Sequence, residues 1–95
     1  MSLTSKQRVV LEELRWLCDD APAWARQAND GYWRAFHVRY FRAKDPARDP
    51  ALRGMSVEAV GPHLSRLAQL GLAVQHSPGR ALFRITDTGR EALGG

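Results

Sequence analysis

The stretch MSVEAVGPHLSRLAQLGLAVQHSPGRALFRITDTGREAL, Met55 to Leu93, decides the fold. Val57, Val60, Leu64 and Leu67 recur at helical spacing, so an apolar stripe runs along one helix face. Ser56 caps that helix and Glu58 stands in its first turn, where an acidic side chain suits the helix dipole. Gly71 stops the helix. Two β-prone runs follow, Leu72–His76 and Ala81–Thr86, joined by Ser77-Pro78-Gly79-Arg80, a turn with a basic tip. Thr86–Leu93 signals a small closing helix. The predicted order is helix, tight stop, hairpin, helix.

Residues 60–72, VGPHLSRLAQLGL, look like the recognition helix of MarR-, PadR- and ArsR-like bacterial regulators. Those families write it as V, two variable residues, a polar residue or His, then L-x-x-L-x-x-x-G-L. Gly79-Arg80 followed by Phe83-Arg84-Ile85-Thr86-Asp87-Thr88-Gly89 is similar to their wing, which closes on L-T-x-x-G. The match covers about the last 40 residues and is specific for fold rather than subfamily. It implies a single winged helix-turn-helix domain over 1–95, mainly α with a small β-hairpin wing. The recognition helix would span about 56–70 and the wing about 72–86. The implied function is duplex DNA binding in transcription regulation, in a bacterial cytoplasm, with helix 56–70 and wing 76–84 reading the duplex.

The outward positions of the helix are Glu58, Gly61, Pro62, Ser65, Arg66 and Gln69. Ser, Arg and Gln side chains reach base edges or phosphates from a major groove, or else form a solvated face. Ser56, Ser65, Arg66 and Gln69 are the helix candidates. His76, Arg80 and Arg84 are the wing candidates, a basic tip suiting phosphate or a minor groove. Gly61-Pro62 departs from the family pattern, which places hydrogen-bonding residues there. Pro62 either deletes a backbone bond inside the helix and bends it, or marks a helix that begins near Gly61. Both outcomes thin base readout and favour shape or phosphate contacts.

A chain of 95 residues supports one modest core. Its net charge of +4 and its 12 Arg against 2 Lys fit a polyanion partner; a GC-rich genome accounts for the same bias. No apolar run reaches the roughly 18 residues of a membrane span, and no secretory segment opens the chain. Met1-Ser2-Leu3 reads as a native start or a cloning leader. Cys18 is the one cysteine, which excludes an intrachain disulfide and fits a reducing compartment. It reads as a buried structural thiol, with a redox sensor as the alternative.

Upstream, Thr4-x-x-Gln7 is a capping box opening a helix to about Cys18, with Val10, Leu14, Leu17 and Cys18 inward and Leu11 at the edge. Val9 and Trp16 occupy a second face, expected to pack on the middle segment or on a second copy. Ala23–Gln27 reads as one helical turn or an ordered loop. Tyr32 to about Ala43 reads as an amphipathic helix with Trp33, Phe36, Tyr40 and Phe41 as its apolar face. Aromatics interleaved with Arg34, Arg39, Arg42 and Lys44 also match single-strand nucleic-acid binders, but the core spacing weighs against stacking on bases. Asp45-Pro46 and Asp49-Pro50 interrupt the next stretch, leaving an insertion with one turn at Pro50–Arg53.

Nothing in the chain reads as an enzyme. His37, His63 and His76 lack metal-ligand spacing, Asp19 and Asp20 diverge on a helix, and no phosphate-loop, nucleophile-elbow or dinucleotide motif occurs. No cofactor or metal is expected. The expected partner is double-stranded DNA. A homodimer would use the first helix or the aromatic middle segment. The rival functions are a protein-interaction adaptor on the Val9/Trp16 face and a phage or plasmid accessory protein in replication or recombination. Leu64→Ala is expected to destabilise the fold by about 2–5 kcal/mol. Urea unfolding measures this, and a loss below about 0.5 kcal/mol would remove Leu64 from the core.

Overall fold

A computed structural model describes residues 3–94; Met1 and Ser2, on which the reading of the chain's start partly rests, lie outside the described residues. Helix α1 (Ser5–Asp19) opens on the expected capping box. The Thr4 hydroxyl accepts from the Gln7 amide at 3.1 Å, and the Gln7 side chain accepts from the Thr4 amide at 3.0 Å. Short helices α2 (Ala23–Ala28), α3 (Ala35–Tyr40) and α4 (Asp49–Leu52) follow, then the long α5 (Val57–Gln69). Strands β1 (Ala73–Gln75) and β2 (Phe83–Ile85) pair antiparallel, Val74 opposite Arg84, and α6 (Asp87–Ala92) closes the chain. The chain is thus mainly helical with one small antiparallel sheet and a single hydrophobic core. Among the described residues five helices precede the hairpin.

The core joins Val10, Leu11, Leu14 and Leu17 of α1 to Val60, Leu64 and Leu67 of α5, with Phe83 and Ile85 of the hairpin beneath. Leu11, expected at the edge, is wholly inside, while Cys18 is half-buried. Burial pushes the Cys18 thiol up, which keeps it protonated at neutral pH and suits a structural role.

The middle segment departs most from expectation. Trp33 is not on a helix: its backbone exchanges bonds with Phe83, at 2.7 and 2.8 Å, as an isolated antiparallel bridge along the free edge of β2. The helix is only Ala35–Tyr40, and its core-facing residue is Val38. Phe36 and Tyr40 point away, because positions i−2 and i+2 from a buried residue lie across the helix. Val74 faces out because strand alternation assigns the inner face to Ala73.

Two junctions hold the C-terminal elements. Gly71, at φ +78°, ends α5 in a conformation that favours glycine. Thr86 caps α6 by accepting from the Gly89 amide at 3.0 Å and donates to the Gly71 carbonyl at 2.7 Å. At Gly89 a Cβ would collide with the Leu72 carbonyl oxygen and come within 2.8 Å of Ile85 Cγ1, so only glycine fits. Arg90 forks onto Asp19 at 2.9 and 2.7 Å, tying α6 to α1. That bond holds the Asp19 carboxyl below its ordinary range. The stabilisation is therefore present above the ordinary carboxylate pKa and lost as pH falls through the lowered one.

The 41–56 connection is pinned by a buried carboxylate. Glu13 is 2% exposed. Arg42 grips it bidentately at 2.9 and 2.8 Å, and Arg48 Nε donates at 2.7 Å. Arg48 Nη2 lies 2.6 Å from the same oxygen without hydrogen-bond alignment, so that contact is ionic. The Arg42 guanidinium lies 4.1 Å from the Trp16 ring centroid, and Trp16 packs on Phe41 at 5.6 Å, so the second face of α1 does meet the middle segment. Arg42→Ala with Arg48→Ala strands the Glu13 charge in the core and is expected to cost about 3–5 kcal/mol. Adding Glu13→Gln should recover part of it in urea unfolding. A double-variant loss near the surface value of about 0.5 kcal/mol would show that water reaches Glu13.

Candidate nucleic-acid interface

The Ser56 hydroxyl accepts from the Ala59 amide at 3.2 Å, so its first role is to cap α5. From there α5 runs unbroken to Gln69 with Pro62 inside it, which rules out a helix beginning near Gly61. Pro62 has no amide to offer the Glu58 carbonyl, so one bond of the helix ladder is missing. Val60, Leu64 and Leu67 face the core, and Ser65, Arg66 and Gln69 face solvent as expected. Arg66 Nη1 donates to Gln69 Oε1 at 3.1 Å, so these two side chains form a unit.

The hairpin candidates divide. Arg80 stands exposed at the turn. Its amide donates to the Ser77 carbonyl at 3.0 Å, and its carbonyl accepts from Gln75 Nε2 at 2.6 Å, so the tip backbone is held while the guanidinium meets no hydrogen-bond or ion-pair partner among the described residues. His76 and Arg84 converge instead on Tyr32. The His76 ring meets Tyr32 edge-on at 4.8 Å, and the Arg84 guanidinium lies 5.1 Å from the Tyr32 centroid. Tyr32, His76, Val74 and Arg84 thus form the outer face of the sheet, an arrangement the chain order alone did not reveal. No hydrogen bond or ion pair among the described residues joins the α5 group to the hairpin group.

Charge is segregated. Residues 59–86 contain no Asp or Glu, and neither do residues 31–44. These two stretches include α3, the hairpin and all of α5 except its first two residues, of which Glu58 is exposed, and α3 packs on α5. Arg66, Arg80 and Arg84 have no carboxylate partner among the described residues. Four of the ten acids are paired outside these stretches: Glu12 and Glu13 with Arg8, Arg42 and Arg48, and Asp19 and Asp87 with Arg90. Gaps in the acid distribution would have marked this face from the sequence.

Other titratable groups are dispersed. The His37 ring accepts from the Arg34 amide at 3.2 Å; burial, then the nearby Arg34 charge, pushes its pKa down. Among the described residues no cluster of three His, Cys, Asp or Glu side chains could hold a metal ion, and no helix is long and apolar enough to cross a membrane. No family model, curated protein or solved structure matches the chain.

Gly61 lies on α5 with open space where a Cβ would stand. Gly61→Ala is therefore expected to stabilise the protein by about 0.5–1 kcal/mol through helix propensity. A thermal melt checks it, and a loss of stability would show that the helix around Pro62 needs glycine's freedom.

Proposed function

We propose that the chain is a winged helix-turn-helix domain that binds duplex DNA, with α5 as the recognition helix and the 72–86 hairpin as the wing. The observation that carries this reading is the surface of the hairpin and of α5 from Ala59 onward, which holds no Asp or Glu and where Arg66, Arg80 and Arg84 stand without carboxylate partners among the described residues. Such a surface keeps its positive potential for phosphates and releases their counterions on binding. The element order supports it: α3 and α5 form the helix pair, the Trp33 bridge adds a short third edge to the sheet, and the hairpin follows α5.

In this reading Arg66, oriented by Gln69, reaches a base edge or phosphate, with Ser65 beside it. Arg80 takes a phosphate or the minor groove from the wing. Gly61 and Pro62 offer no hydrogen-bonding side chain at the front of the helix, so affinity rests on backbone charge and duplex shape more than on base contacts. Transcription regulation is the biological role this chemistry fits best. The adaptor reading is disfavoured because Trp16 is covered by Phe41 and Arg42.

Arg80→Ala should weaken all duplexes alike and reduce the slope of log affinity against log salt by about one unit. Arg66→Ala should narrow the gap between preferred and random duplex, by about 1–3 kcal/mol if it reads a base. Anisotropy titrations of labelled duplex across a salt series decide both. A wild type that shows no salt-dependent binding would overturn the reading.

A further inference from the structure

Phe36 and Tyr40 stand one turn apart on α3, 59% and 45% exposed. Their rings are 5.1 Å apart, inclined by 54°. The core gains nothing from them, since Val38, Trp33 and Phe41 close it on the other side of the segment. The Arg39 guanidinium lies 5.0 Å from the Tyr40 centroid, and its Nε donates to the carbonyl of Met55, the residue before the α5 cap. The aromatic pair is therefore continuous, through Arg39, with the start of α5. Arg34 and Lys44 are exposed on the same acid-free stretch, and none of these three cations has a carboxylate partner among the described residues.

We propose that Phe36 and Tyr40 form a stacking step for unpaired nucleobases, with Arg39 and Arg34 receiving the flanking phosphates of a single strand. Aromatic faces set among cations gain from a base only when its own face is free, which holds for a single strand and not within a duplex. The charge opposes the simplest competitor: a second copy docking on this face would bring two sets of like cations together. This site goes beyond the duplex reading and does not use Arg66 or Arg80.

The test is anisotropy of a labelled oligothymidylate and a blunt duplex, each titrated with wild type, Phe36→Ala/Tyr40→Ala, Phe36→Leu/Tyr40→Leu and Arg66→Ala/Arg80→Ala. Both aromatic double variants alter exposed side chains, and circular dichroism verifies their fold. The expected result is wild-type binding to oligothymidylate that both aromatic variants weaken by about tenfold or more, with duplex binding retained. The leucine variant keeps apolar bulk without the ring face, so it separates stacking from general hydrophobic contact. Arg66→Ala/Arg80→Ala should lose duplex affinity and keep oligothymidylate. Oligothymidylate binding that is missing in the wild type, or equal in the aromatic variants, overturns the site. So does a wild-type dimer in sedimentation that the aromatic variants dissociate while oligothymidylate affinity stays unchanged. Failure of duplex binding alone overturns the recognition-helix reading and leaves this site standing.

Discussion

The arrangement of the helices depends on one buried carboxylate. Glu13 lies inside the molecule, on the face of α1 that the 41–56 connection crosses, and an isolated charge there would be prohibitive. Arg42 and Arg48, 29 and 35 residues further on, neutralise it from that connection. The connection contains two X-Pro steps and only one helical turn, so it has little regular structure of its own to set its path. Anchored at Arg42 and Arg48, it delivers Leu52 and Met55 into the core and Ser56 to the cap of α5. The direction in which α5 presents its outer face thus follows from an ion-pair network on the other side of α1. Replacing such a network with apolar residues often leaves stability unchanged, which argues that its use here lies in fixing one path for the connection.

The same network shapes the surface field. By pairing Glu12, Glu13, Asp19 and Asp87 with Arg8, Arg42, Arg48 and Arg90, the fold compensates four carboxylates that lie outside residues 31–44 and 59–86. The formal charge of +4 is modest. Its effect is larger than that figure suggests, because the uncompensated cations fall in two contiguous acid-free stretches whose helices pack together. Within a Debye length, about 10 Å at moderate salt, neighbouring cations add rather than being screened one by one.

Elements with local signals were legible in the sequence. The capping box at Thr4, the Ser56 cap, the stop at Gly71 and the Thr86 cap each act within three or four residues, and each stands where the spacing places it. What depended on distant partners was not legible. Glu13 reads as an ordinary polar position until Arg42 and Arg48 are brought to it. Trp33 fits a helical stripe with Phe36 and Tyr40, and only its pairing with Phe83 reveals extended backbone there. Once α3 shortens to six residues, two apolar faces compete for the core. Val38 wins and Phe36 with Tyr40 turns outward. For the candidate site, exposure of Ser65, Arg66 and Gln69 followed from periodicity, and that of Arg80 from the turn signal at Ser77-Pro78-Gly79-Arg80. The convergence of His76 and Arg84 on Tyr32 did not, since it joins residues across two strands and a bridge.

The front of α5 bears on how much sequence information the proposed interface carries. A helix lying in a major groove reads bases chiefly from its N-terminal half. Here that half offers Gly61 and Pro62, which have no polar side-chain atom, the acid Glu58, which opposes a phosphate, the half-buried His63, and Ser56, whose hydroxyl already accepts the Ala59 amide. Arg66 and Gln69 stand a turn and more further along, and their mutual bond restrains the guanidinium while occupying one of its five donors. An arginine held this way meets guanine or phosphate with little further ordering cost, but one such group distinguishes few positions. Discrimination then has to come from how readily a duplex presents its backbone to both α5 and the wing, a property of shape and deformability rather than of base edges.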